Sequence, residues 1–279
     1  MSQHPSTGPA AQAATTVKRT SDYEAYIFDL DGTVYLGHAL LPTAGETIMA
    51  LRQKGKRVMF LSNNPTHTRQ DYARRLTGLG LPTPEADIIT SSIVMVDFLR
   101  RTFLGPIPPI FVIGEAPLKH ELRAAQMVLS EEAGEIGIVI ASFDRTFAYR
   151  KLQIAFDAIR TGARFFATNA DRYCPVPGGG EPDAAAMIAA VEACTGKTVE
   201  AVVGKPSRYM ADAVLGALQL APERCIMIGD RLETDIKMGL DAGMGTALTL
   251  TGATSEAMLQ AATTRPDFVL RQLADLLTG

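Results

Sequence analysis

Short apolar, β-branched runs alternate along the chain with longer stretches in which apolar residues recur every three to four positions. The runs 25–30, 57–62, 110–113, 136–141, 164–168, 199–203, 224–229 and 245–250 are predicted strands, and the stretches 43–54, 65–79, 145–160, 183–194, 207–218 and 233–241 are predicted helices. Strands alternating with helices imply a parallel sheet, and strands apolar on both faces imply burial inside a doubly wound one. The fold class that follows is α/β with a Rossmann-like parallel sheet. Residues 1–20, rich in Ala, Ser, Thr, Gln and Pro, carry no apolar period and read as a flexible tail.

Ligands of such sheets gather beyond the carboxyl ends of the strands. Four strands there run directly into polar residues: Phe28 into Asp29, Leu61 into Ser62-Asn63-Asn64, Ile228 into Gly229-Asp230, and Val203 into Gly204-Lys205-Pro206. Turn chemistry accounts for any one of these ends, and helix capping accounts for an acid such as Asp230, but neither accounts for all four. Phosphoryl transfer requires an in-line nucleophile, an acid for the leaving oxygen and positive charge around the non-bridging oxygens. Asp29 fits the first part and Asp31 the second, with Asp31 able to activate water afterwards. Lys205 supplies positive charge, and Ser62 and neighbouring backbone N–H groups can hold phosphate oxygens. Asp230 and Asp235 add carboxylates for a cation, and oxygen ligands without His or thiolate point to Mg2+.

Composition narrows the partner. The 279 residues are 47% hydrophobic and 20% charged, with a formal net charge of -3 and no long Lys/Arg run, which disfavours nucleic acid or an anionic membrane and leaves a small phosphorylated metabolite. Cys174, Cys194 and Cys225 are odd in number and widely spaced, so they read as reduced thiols, and the scattered His4, His38, His67 and His120 offer no metal pair. No apolar run approaches a membrane span and the first residues do not pattern as a signal peptide, so a cytoplasmic location is expected. Gly196-Lys197-Thr198 lacks the first glycine of a phosphate loop, Val191 standing there, while Gly239, Gly243 and Gly245 follow a helix instead of opening one. Pro65 disqualifies Asn64 as a glycosylation acceptor.

The segments Asp29-Leu30-Asp31-Gly32-Thr33, Ser62-Asn63-Asn64, Gly204-Lys205-Pro206-Ser207 and Gly229-Asp230-Arg231-Leu232-Glu233-Thr234-Asp235-Ile236 together resemble, in order, the four motifs of the haloacid dehalogenase superfamily. The pattern is similar to the subgroup (IIA) of p-nitrophenyl phosphatases, phosphoglycolate phosphatases and NagD proteins, from about Tyr23 onward. The resemblance implies Asp29 as nucleophile, Asp31 as acid/base with its carbonyl on the ion, and Ser62 on phosphate. Asn63 and Asn64 would line the site, Lys205 would orient Asp29 and neutralise phosphate, Asp230 would ligate the ion, and Asp235 would ligate it or stand behind its ligands. The acid Asp31 implies a phosphatase, or alternatively a phosphotransferase or mutase; a non-catalytic phosphometabolite-binding regulator fits the intact carboxylate pair less well.

Roughly 140 residues separate Ser62 from Lys205, enough for an inserted unit. The resemblance implies a C2-type α/β cap at 106–197, between core segments 21–105 and 198–279, and a homodimer through that cap. Within it, Asn169, Asp171 and Tyr173 are candidate leaving-group contacts. Relatives usually have small residues before the last cap helix. This chain has Glu181-Pro182-Asp183 instead, an acidic pair expected either to alter specificity from a loop or to cap the following helix.

Overall fold

The computed structural model of the chain describes residues 18–176 and 179–278. A six-stranded sheet runs in the order Phe268–Leu270, Gly245–Thr249, Cys225–Gly229, Ala25–Asp29, Arg57–Ser62, Ile88–Thr90, with every pair parallel. The expected α/β doubly wound architecture is therefore present. Two of its strands, Ile88–Thr90 and Phe268–Leu270, are three residues long and too short to stand out by periodicity. Helices Ser91–Thr102, Ala116–Ala124 and Glu256–Ala261 are likewise additional to the sequence expectation.

A second parallel sheet orders Ala201–Val202, Arg164–Ala167, Ile138–Ala141 and Ile110–Ile113. The run 199–203 thus contributes only two paired residues, Ala201 and Val202, whose backbones pair with Phe166 and Ala167 of the smaller sheet. Glu181 and Pro182 lie in a strand, where a loop is expected. Tyr173–Val176 and Gly179–Pro182 pair antiparallel as a hairpin, with Glu181 opposite Cys174, and Asp183 then caps helix Ala184–Thr195.

Both faces of the large sheet are covered. Tyr26, Phe28, Val58 and Phe60 pack on one side with Ile48 and Leu76, while Ala25, Ile27, Met59 and Leu61 pack on the other. That second apolar layer continues without a break into the smaller sheet, taking in Ile110, Val112, Ile138, Ile140 and Phe166 through helix Ser91–Thr102. The opposite face of the smaller sheet has a layer of its own around Phe111, Val139 and Phe165. Period-two alternation along each strand sends successive side chains into different layers. The tail expectation ends differently as well. Residues 1–17 lie outside the described residues, but Thr20 is buried and its hydroxyl donates to the Leu276 carbonyl at 3.1 Å.

Candidate active site

Strand register brings the chemistry together. Asp29 ends the central strand beside Leu61, Phe28 pairs with Ile228, and the two flanking strands therefore deliver Ser62 and Asp230 to the same edge. A cleft of about 60 Å³ opens there, lined by Asp29, Asp31, Ser62, Asn63, Asn64, Lys205 and Asp235 from around the large sheet. Asp171, Tyr173, Cys174 and Asp183 close it from the inserted side. Of the residues expected from sequence, Asp230 and Asn169 are not among those that line it.

Lys205 is almost fully buried, and its ammonium is shared between two carboxylates: it donates to Asp29 and, at 2.7 Å, to Asp235. Burial works against the ammonium, but Asp235 and Asp29 outweigh it and hold its pKa above the ordinary value. Asp29 is pushed well up, chiefly by burial and further by Asp235 and Asp230, with Lys205 opposing. Asp230 is pushed up to about 6 by burial and by Asp235, against the Ala253 N–H that donates to its Oδ2 at 2.6 Å.

Oxygens of Asp29, Asp230 and Asp235 lie within 4.8 Å of one another. Three acidic side chains gather beside one ammonium, and Oδ1 of Asp230 is buried with no hydrogen-bond partner. An orphaned acceptor in an acidic, all-oxygen cluster fits a hard divalent cation such as Mg2+. Asp235 has less to offer. Its Oδ1 takes Lys205 and its Oδ2 takes the Arg231 N–H at 3.1 Å, within a widened turn where the Ile236 N–H reaches back five residues to the Arg231 carbonyl. The Asp31 carboxylate stands outside the cluster, accepting from the Tyr35 phenol at 3.2 Å, and burial raises its pKa. Gly32 makes this approach possible: its φ is +83°, and a Cβ there would sit 2.6 Å from Oδ2 of Asp230.

Around the phosphate end, the Ser62 hydroxyl meets Tyr72 at 3.0 Å and accepts the Asn64 N–H at 3.1 Å. The Asn64 side-chain oxygen turns away to Thr66. On the inserted side, Tyr173 is 51% exposed, with Arg231 above its ring. Asn169 is fully buried and its amide is consumed by Asp171 and Asp183, both at 3.0 Å, and by the Thr168 hydroxyl, so it supports the acids that line the cleft instead of lining it. Of the two alternatives for the acidic pair, Asp183 fulfils helix capping, and it also lines the cleft. Tyr35, Tyr72 and Arg231 were not among the expected site residues. Arg231 was visible next to Asp230, whereas the tyrosines give no signal in spacing.

Family comparisons agree with this geometry. A haloacid dehalogenase-like hydrolase model matches residues 26–128, and a second, HAD-hydrolase-like model matches 202–276. The sugar-phosphatase AraL of Bacillus subtilis is 39% identical over 250 residues, covering 90% of each chain. The chain belongs to the haloacid dehalogenase superfamily. Within it the chain is a NagD-like phosphatase, and chronophin of the mouse is 34% identical with 92% of each chain covered. The 4-nitrophenylphosphatase of Thermotoga maritima superposes with a TM-score of 0.88 at 36% identity, over 93% of this chain and 98% of that one. NagD of E. coli gives 0.81 at 31% identity, over 90% and 97%. The superfamily's phosphatase relatives act on small phosphorylated substrates such as sugar phosphates and phosphoglycolate, according to their names.

Proposed function

We propose that this haloacid dehalogenase phosphatase is magnesium-dependent and hydrolyses small phosphomonoesters through a phosphoryl group carried on Asp29. The observation that supports it most strongly is the Lys205 ammonium shared by Asp29 and Asp235 beside the unpartnered Asp230 oxygen. In the first step a carboxylate oxygen of Asp29 bonds to phosphorus while the bond to the ester oxygen breaks. The electron pair leaves with that oxygen, which takes the proton of Asp31. Asp31, now ionised, accepts a proton from water; the water oxygen bonds to phosphorus, the Asp29–phosphorus bond breaks, and inorganic phosphate departs.

Lys205 keeps Asp29 oriented and, with the Ser62 hydroxyl, faces the transferred oxygens. Asp29, Asp230 and the Asp31 carbonyl would hold Mg2+, with Asp235 adjacent, and the ion would offset negative charge on the phosphoryl oxygens. Asp171 and Tyr173 belong to the leaving-group side of this reading because they line the cleft from the inserted unit. A cytoplasmic location belongs to the same reading, in keeping with cysteines that form no disulfide among the described residues. A homodimer through the inserted unit completes the reading, and sedimentation at micromolar concentration checks it.

The decisive experiment is phosphate release from a metabolite panel with Mg2+ and with chelator, alongside Asp29→Asn. Release that survives chelation and the substitution sinks the mechanism.

A further inference from the structure

Asn63 was expected to line the site, yet its side-chain amide has little left to give a substrate. Nδ2 donates to Oδ2 of Asp171 at 2.9 Å and to the Lys205 carbonyl at 3.0 Å, and Oδ1 accepts the Lys205 N–H at 2.7 Å. The Lys205 N–H can only donate, so it fixes which end of the amide is oxygen. Both donors are therefore occupied. The side chain grips the Lys205 main chain by its N–H and its C=O together, as a neighbouring strand would.

We infer that Asn63 is a positioning residue that ties Lys205 to Asp171 of the inserted unit, so that placement of that unit over the cleft is felt by the catalytic lysine. The inference rests on the phosphatase reading above. Three surrounding contacts make the arrangement stiff. The Asn63 carbonyl is held by the Ser91 hydroxyl at 2.8 Å. Gly204, immediately before Lys205, donates its N–H to the Thr168 carbonyl at 2.7 Å, and a Cβ on Gly204 would lie 2.5 Å from that carbonyl and 2.6 Å from Oδ1 of Asn63. Asp171 is itself held, by Asn169 at 3.0 Å through the same oxygen, with Arg231 4.0 Å from the other. Lys205 thus receives its position from two directions: its ammonium from Asp29 and Asp235, and its backbone from Asn63. A shift of Asp171 moves the amide, and the amide moves the lysine.

The test uses the full chain with Mg2+ and 4-nitrophenyl phosphate, reading kcat, KM, competitive inhibition by inorganic phosphate, and thermal unfolding. Asn63→Ala should lower kcat about 10- to 100-fold, a larger change than that in the phosphate inhibition constant, because Asn63 itself makes no phosphate contact and acts through the lysine it positions. Asp171→Ala should lower kcat as well, and the double variant should be no worse than Asn63→Ala alone to within about 3-fold, since one residue acts through the other. Asn63→Asp sets a carboxylate against both Asp171 and the Lys205 carbonyl, and should lower kcat at least as far as Asn63→Ala. Weakened phosphate inhibition and raised KM at unchanged kcat would make Asn63 a ligand and overturn the proposal. So would additive losses in the double variant. Should Asn63→Ala fail to fold, Asp171→Ala decides: a folded variant with wild-type kcat refutes the link. Failure of the underlying reading looks different, because it appears as wild-type activity indifferent to chelator and to Asp29→Asn.

Discussion

Lys205 and Asp235 are joined at 2.7 Å in a site where neither is open to solvent, and Asp29 shares the same ammonium. Removing one partner of such a buried pair strands the other, with a typical cost of about 3–5 kcal/mol. Lys205→Ala should therefore depress the unfolding midpoint as well as lower kcat by about 10²–10³, the usual effect of deleting a group that meets developing charge. Paired calorimetry and steady-state kinetics check both effects; an inactive variant of wild-type stability would contradict the role given to the ion pair.

Divalent metal should stabilise the fold, whatever it does for turnover. At a concentration about 100-fold above its dissociation constant, a ligand of the folded state adds about 2.7 kcal/mol, or on the order of 5 °C for a chain of this size. Mg2+ should raise the melting temperature by that order in the wild type, and Asp230→Ala should abolish the rise because it removes the unpartnered oxygen. Scanning fluorimetry with Mg2+ and with chelator makes the comparison.

Asp183 gives a pH dependence of known sign. Burial, opposed by the Ala184 N–H and Asn169, pushes its pKa up from the ordinary 3.8 to about 6. Between those values the folded chain holds a proton that the unfolded chain has released, so this contribution is full below about pH 3.8 and is lost as the pH rises through about 6. Urea unfolding of wild type against Asp183→Asn, which keeps a good capping side chain, should show a difference that changes by about 2–3 kcal/mol over that interval, the wild type losing ground as the pH rises. A pH-independent difference would refute it.

Gly32→Ala is expected to be damaging despite its small size. The backbone there has φ +83° and the new methyl would fall on Asp230. A left-handed alanine alone costs about 1 kcal/mol, and displacement of Asp230 should weaken Mg2+ binding too. Calorimetric titration with Mg2+ tests this, and unaltered affinity would show that the loop adjusts without disturbing the cluster.

Much of the site was legible because its residues sit where apolar runs stop. Asp29, Ser62 and Asp230 each follow a buried strand, and parallel register alone carries them to one edge. The ordering of the sheets was harder to read. Ala201 and Val202 form a two-residue strand whose membership depends on pairing with Phe166 and Ala167, a choice made in three dimensions. The hairpin that contains Tyr173 and Glu181 is rich in Pro and Gly, which reads as loop until its backbone bonds are seen. Asn169 looked like a ligand by its place in the chain, and only the neighbours that consume its amide reveal otherwise. Tyr35 joins the site from the turn after Asp31 and Tyr72 from the helix after Ser62, each through its phenol, and neither residue type announces that in the chain.

The apolar layer that runs unbroken from Ile27 through Phe98 to Val112 and Phe166 has a consequence for engineering. Swapping the insertion for that of a cousin would cut through greasy surface on both sides of the junction, and the graft would have to be repacked before it could be asked about selectivity. Excision should leave an insoluble remnant, and changes of substrate preference are more readily reached through individual side chains at the mouth than by trading whole modules.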